Sequence, residues 1–152
     1  MALPNLFTKE VSADLVQRIN NLNAQTERKW GTMSVAQMLA HCNVIYEMVY
    51  EDKHPKPNAI VKFMLKILVK PKVVNETAYG QNGRTAPQFI IKEDKNFEVE
   101  KNRLIQFINK TQELGEKEFD NKASHSFGIL NKTEWNNMFY KHLNHHLSQF
   151  GV

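Results

Sequence analysis

The stretch Asn131-Lys132-Thr133-Glu134-Trp135-Asn136-Asn137-Met138-Phe139-Tyr140-Lys141-His142-Leu143-Asn144-His145-His146-Leu147-Ser148-Gln149-Phe150-Gly151 decides how this chain is read. Trp135, Met138, Phe139, Leu143 and Leu147 recur at helical spacing. Asn131 and Glu134 occupy the N-cap and N3 positions of a helix start, and Gly151 is a stop signal. Residues four apart on a helix stack on one face, so His142 and His146 can direct two ring nitrogens at one metal ion. At about 100° per residue, His146 lies about 40° from His142, inside the apolar arc, whereas His145 falls about 60° the other way, toward Lys141 and the polar edge. The same spacing also suits two histidines at the boundary of a core, and by itself it leaves both readings open.

Two further helices read clearly. One runs from about Ser12 to Gln25, with Leu15, Ile19 and Leu22 in register. The other opens at a capping box of Ser34 and Gln37 and carries Val35, Met38, Leu39, Cys42, Ile45, Tyr46 and Val49 to an end near Asp52. Asn58 to Val69 and Phe97 to Leu114 add two more, the latter with Gly115 as C-cap. Between them, Lys72 to Asn96 is a long irregular connection, and a structureless segment of that length is usually functional. Gln88-Phe89-Ile90-Ile91 is a strand-like piece within it. The expected architecture is all-α: a four-helix bundle with an additional short helix and a long irregular connection, in a single domain over 1–152.

A metal site needs a third ligand, and His41 on the second helix is the candidate, although a lone histidine at that margin also reads as a hydrogen-bonded boundary residue. Three protein ligands leave positions open for substrate, as catalytic metals require. Gln37 and Gln149 are candidates to orient the histidines; a capping residue and a surface residue are the plainer readings. His125 is a candidate for the mouth of the site or a simple loop histidine, and His54, in a proline-rich turn, is expected at the surface. Cys42 reads as a small buried apolar residue. No carboxylate is spaced so as to identify a general base.

Composition narrows the classes. The chain has 152 residues with six histidines and one cysteine, which excludes a disulfide framework and multi-thiolate zinc sites. The 41% hydrophobic fraction suffices for a core. A net charge of +4 is mild, and no recognition helix or stacking module accompanies it, so no nucleic-acid partner is expected. With no secretion signal and no span of about 20 apolar residues, a soluble cytoplasmic protein is expected.

These segments resemble the DinB/YfiT-like superfamily of bacterial helical-bundle metalloenzymes, and most of all a branch catalogued as domains of unknown function. The resemblance is carried by Trp30-Gly31-Thr32-Met33-Ser34-Val35-Ala36-Gln37-Met38-Leu39-Ala40-His41, by His125-Ser126-Phe127-Gly128 and Glu134-Trp135, and most specifically by His142-Leu143-Asn144-His145-His146-Leu147-Ser148-Gln149. Residues 53–97 carry no matching motif. The resemblance implies a divalent metal, zinc or nickel, held by His41, His142 and His146. Many relatives have proline after the loop histidine, where this chain has Ser126. Characterised relatives include thiol-dependent transferases and a thiol-dependent isomerase, but kinship of fold does not transfer a reaction.

Two functions follow as expectations. The first is a metal-dependent enzyme acting on a small molecule, either a transferase using a low-molecular-weight thiol or a hydrolase. The second is a non-enzymatic binding module. Segment 59–70, apolar apart from Lys62, Lys66 and Lys70, would then meet a membrane surface or a partner, including a second copy in a homodimer. The plainer expectation for that segment is a bundle helix covered on most sides, its lysines toward water.

Overall fold

The computed structural model describes residues 2–152. Six α-helices lie among them: α1 (Lys9–Asn20), α2 (Val35–Tyr50), α3 (Ala59–Leu68), α4 (Lys70–Val74), α5 (Phe97–Phe119) and α6 (Lys132–Gln149). The chain is therefore mainly helical. A two-stranded antiparallel hairpin, β1 (Lys122–Ser124) with β2 (Gly128–Leu130), precedes α6.

Local chemistry sets the helix ends. Ser34 caps α2 and Asn131 caps α6, each in a full capping box with Gln37 or Glu134 reaching back to the cap. Such a cap is worth about 1 kcal/mol. Asn58 and Asn96 cap α3 and α5 in the same way without the return bond. Helix α1 is shifted from expectation: Thr8 starts it early, and it stops at Asn20 rather than near Gln25. There Asn23 turns the chain, its side-chain oxygen accepting from the Gln25 amide at 2.9 Å. Gly115 leaves the helical conformation at φ 74° where a C-cap was expected, but the chain returns to helix as far as Phe119.

The core is one cluster to which four helices contribute. Leu15 and Ile19 of α1, Met38 and Leu39 of α2, Leu104 and Ile108 of α5, and Phe139, Leu143 and Leu147 of α6 are all fully buried. Each large apolar side chain taken from water contributes about 1.5–3 kcal/mol. Tyr46 stacks on Phe139 with ring centroids 4.9 Å apart, and Phe119 meets Trp135 edge-on at 5.5 Å. Helix α2 packs chiefly against α5, and also against α6. An ion-pair cluster backs the α2–α5 contact: Glu47 binds Arg103 and, at 2.8 Å, Nε2 of His54, while Arg103 also reaches Glu100 at 2.9 Å. Burial pushes the Glu47 carboxyl up, yet these partners more than offset it and hold it below the usual range.

The connection between α3 and α5 departs from expectation. Its first residues form α4, which packs on α6. The piece read as strand-like is instead a single 3₁₀ turn, Pro87–Phe89, followed by irregular chain. The proline at its start fixes φ and removes an amide that a strand would use. Lys141 secures the beginning of this strap. Its ammonium is buried and donates to the Lys72 carbonyl at 2.7 Å, the Asn75 carbonyl at 2.9 Å and the Asn75 side-chain oxygen at 2.7 Å. With neutral acceptors around it, burial pushes its pKa down to about 8.

Helix α3 is also unlike its expectation. None of its residues is buried, and it packs chiefly against the short α4. It is not covered on most sides.

Candidate metal centre

Helices α2 and α6 bring three imidazoles together. His41 stands two turns into α2 (its start fixed by the Ser34 cap), while His142 and His146 lie one turn apart on α6. One ring nitrogen of each falls within 4.8 Å of the others, a group that could hold a metal ion. Nε2 of His41 and Nε2 of His142 are 2.9 Å apart.

The second ring nitrogens show which way the first ones face. Nδ1 of His41 lies 2.8 Å from the Phe89 carbonyl oxygen, and Nδ1 of His146 lies 2.8 Å from Oε1 of Gln149. Both oxygens only accept, so both rings carry their proton on Nδ1 and keep a lone pair on Nε2. The orientation of the Gln149 amide is itself set, because its Nε2 donates to the Trp30 carbonyl at 2.8 Å. A carbonyl or carboxylate behind a ligating imidazole is the usual support of a metal site, fixing tautomer and ring orientation. His142 differs: its Nδ1 is buried and has no hydrogen-bond partner among the described residues.

Burial also favours the neutral form that ligation requires. It lowers the pKa of His41, which the Phe89 bond partly opposes and the charge of His145 assists. It holds His142 well below the usual imidazole range, reinforced by His146, His41 and His145. It pushes His146 down to about 3. Three neutral imidazoles with no carboxylate in the group suit a divalent transition-metal ion such as zinc, nickel, copper or iron, and not magnesium or calcium, which take oxygen ligands. The residues present therefore fit the expected ion.

The trio lines a cavity of about 740 Å³, within the size range of small-molecule sites. Its wall includes Met33, Ile45, Leu65, Val69, Phe89 and Met138, and no Asp or Glu. The hairpin supplies His125, which lines the cavity. Its ring is held by Oγ of Ser126 at 2.8 Å and by the His54 carbonyl at 3.1 Å.

The two candidate glutamines part company. Gln149 touches His146, whereas Gln37 spends its amide on the α2 cap and on the Glu93 carbonyl at 3.3 Å. His54 is half-buried on Glu47 instead of exposed in its turn. His145, expected near the polar edge, is half-buried on the cavity wall, edge-on to Trp30 at 5.8 Å and to Tyr79 at 5.7 Å. The strap over that side of α6 makes the difference, and it covers Lys141 for the same reason. Cys42 is 1% exposed beside Met38, and burial pushes its thiol pKa up, so it is no nucleophile. Phe89 and Trp30 were missed as contributors because each acts through its backbone carbonyl, which no side-chain motif reveals.

Comparison with curated proteins and with solved structures found no match for this chain. A family model does match, over residues 6–151, from Leu6 ahead of α1 to Gly151 at the end of α6. The chain belongs to that family, described as protein of unknown function, DUF1569.

Proposed function

We propose that the protein is a divalent-metal-dependent enzyme acting on a small molecule, with His41, His142 and His146 as the ligands of zinc or nickel. In this reading α1, α2, α5 and α6 are a four-helix bundle of the DinB/YfiT-like kind, built to hold the three histidines. The observation that carries it is the pair of locked tautomers: His41 and His146 are each held by a carbonyl so that their Nε2 keeps a lone pair, in a group with His142 whose ring nitrogens lie within 4.8 Å of one another.

A bound divalent ion would supply Lewis acidity, lowering the pKa of a water or thiol and polarising an electrophile. The chain's own contributions are distinct from that. Phe89 and Gln149 orient the ligands, and the apolar wall excludes water from the body of a substrate. With no Asp or Glu on the wall, His125 and His145 are the remaining imidazoles there. Transfer to a low-molecular-weight thiol is favoured by the family resemblance, and hydrolysis is equally compatible with the ligand set.

The test compares protein reconstituted with zinc or nickel against His142→Ala, on an activated ester and on a small thiol paired with an electrophilic acceptor. The reading expects metal-dependent turnover of one of these that the variant lacks. Turnover that persists without metal, or in the variant at the wild-type rate, would overturn it.

A further inference from the structure

We propose that α3, with the lysines around it, seats the protein on an anionic membrane surface. The helix is amphipathic with its apolar side turned to water. At about 100° per residue, Ile60, Val61, Phe63, Met64, Ile67 and Leu68 span one arc of about 160°. All six are exposed, from 43% at Val61 to 76% at Ile60. The side toward the protein is the narrower one, where Leu65 and Val69 line the cavity. A ten-residue helix that faces its own protein with its smaller apolar side leaves the larger one for something else.

Charge indicates what covers it. Lys53, Lys56, Lys62, Lys66, Lys70 and Lys72 fall in a stretch with no Asp or Glu between residues 53 and 75. Lys66 lies about 60° beyond Phe63 on the helix and is exposed, at the margin of the apolar arc. Lys70 is drawn inward onto Glu134 at 2.8 Å, Lys53 pairs with Glu51, and Lys62 is half-buried, which leaves Lys56, Lys66 and Lys72 as the exposed cations. An apolar arc with a lysine at its free margin and further lysines in the flanking chain is the pattern of a helix lying in a membrane interface, apolar side in the acyl boundary and cations among the anionic headgroups. The same pattern disfavours a second copy of the chain, because a two-fold contact through α3 would bring Lys62 and Lys66 toward their own equivalents without an acidic partner in the segment. No helix among the described residues is long and apolar enough to cross a membrane, so the association is at the surface. Because Leu65 and Val69 of the same helix line the cavity, docking would hold the cavity close to the bilayer.

The test is co-sedimentation of the full-length protein with vesicles of phosphatidylglycerol and phosphatidylcholine in equal parts, and with phosphatidylcholine alone. The wild type should pellet with the mixed vesicles at low salt, less at high salt, and little with the neutral ones. Phe63→Ser with Ile67→Ser, and separately Lys62→Glu with Lys66→Glu, should each lower partitioning by about tenfold or more. These side chains make few contacts within the fold, so circular dichroism and melting should stay as in the wild type. Absence of co-sedimentation with both vesicles would overturn the proposal, as would binding that neither variant weakens. A dimer in solution that Phe63→Ser with Ile67→Ser dissolves, without vesicle binding by the wild type, would overturn it in favour of a second copy. Metal binding at the histidines is read separately and is untouched by any of these outcomes.

Discussion

Replacing Gln149 by methionine keeps the length of the side chain and removes both of its hydrogen-bonding ends. Gln149 is 4% exposed. Its Oε1 takes the Nδ1 proton of His146 at 2.8 Å, and its Nε2 gives a proton to the Trp30 carbonyl at 2.8 Å. In Gln149→Met the His146 N–H is left in a buried site without an acceptor, at a cost of about 1–3 kcal/mol. The ring also loses the contact that fixes its tautomer and angle, so its Nε2 is no longer held beside His41 and His142. Loss of such a supporting partner typically weakens a metal site by about 10–100-fold, or about 1.4–2.7 kcal/mol. Competition titration of zinc against a chromophoric chelator reads this directly, with thermal melting of the metal-free protein run alongside. The expected result is a 10–100-fold weaker site in a protein that still folds. Affinity unchanged from the wild type, in a folded variant, would refute the claim that Gln149 orients a ligand.

Further outcomes follow from the same geometry. Gly31 sits at φ +83°, and a Cβ there would meet Nε2 of Gln149 at 2.5 Å. Gly31→Ala should therefore lose about 1–3 kcal/mol in denaturant melts, and an unchanged midpoint would contradict the placement of the Trp30–Gly31 turn against α6. The metal-free protein should also weaken in mild acid. His41, His142 and His146, and the half-buried His145 beside them, have folded pKa values below the ordinary 6.5, so the unfolded chain binds more protons below that value. Their contribution is full above about pH 6.5 and is lost as pH falls toward the folded values, about 3 for His146. The slope is about 1.4 kcal/mol per pH unit for each histidine still neutral in the fold. Glu47, lowered from 4.5, adds to acid loss only further down, so the interval from about pH 6.5 to about pH 5 isolates the imidazoles. Urea unfolding that is flat over that interval would count against their buried, neutral state.

Helix boundaries were legible where side chains cap the backbone. Ser34 with Gln37 and Asn131 with Glu134 both form the reciprocal bonds their spacing implies, and those caps set the register that brings His41 near His142 and His146. The pairing of His142 with His146 was legible because i,i+4 spacing and apolar periodicity are local properties of one helix, whereas His41, on another helix, was only a candidate until the family resemblance joined it to them. Features made by distant parts of the chain were not. The strap from Lys72 onward buries Lys141 and half-buries His145 through backbone carbonyls and Tyr79, none of which carries a sequence pattern. The hairpin at Lys122–Leu130 has strands of three residues, too short for alternation to register. In α3 the periodicity correctly indicated a helix with an apolar arc but carried no information on which side the rest of the protein would lie. The expectation of a covered helix assumed that an apolar arc faces its own core, and in α3 it faces outward.

Every role proposed for this site depends on His41, His142 and His146 holding one divalent ion. The most direct measurement is the metal content of purified protein, as isolated and after reconstitution with zinc or nickel, with His41→Ala and His142→Ala in parallel. The expected result is a stoichiometric ion in the wild type and its loss in both variants. A wild type that binds no stoichiometric ion even after reconstitution, or two variants that keep it, would contradict the claim.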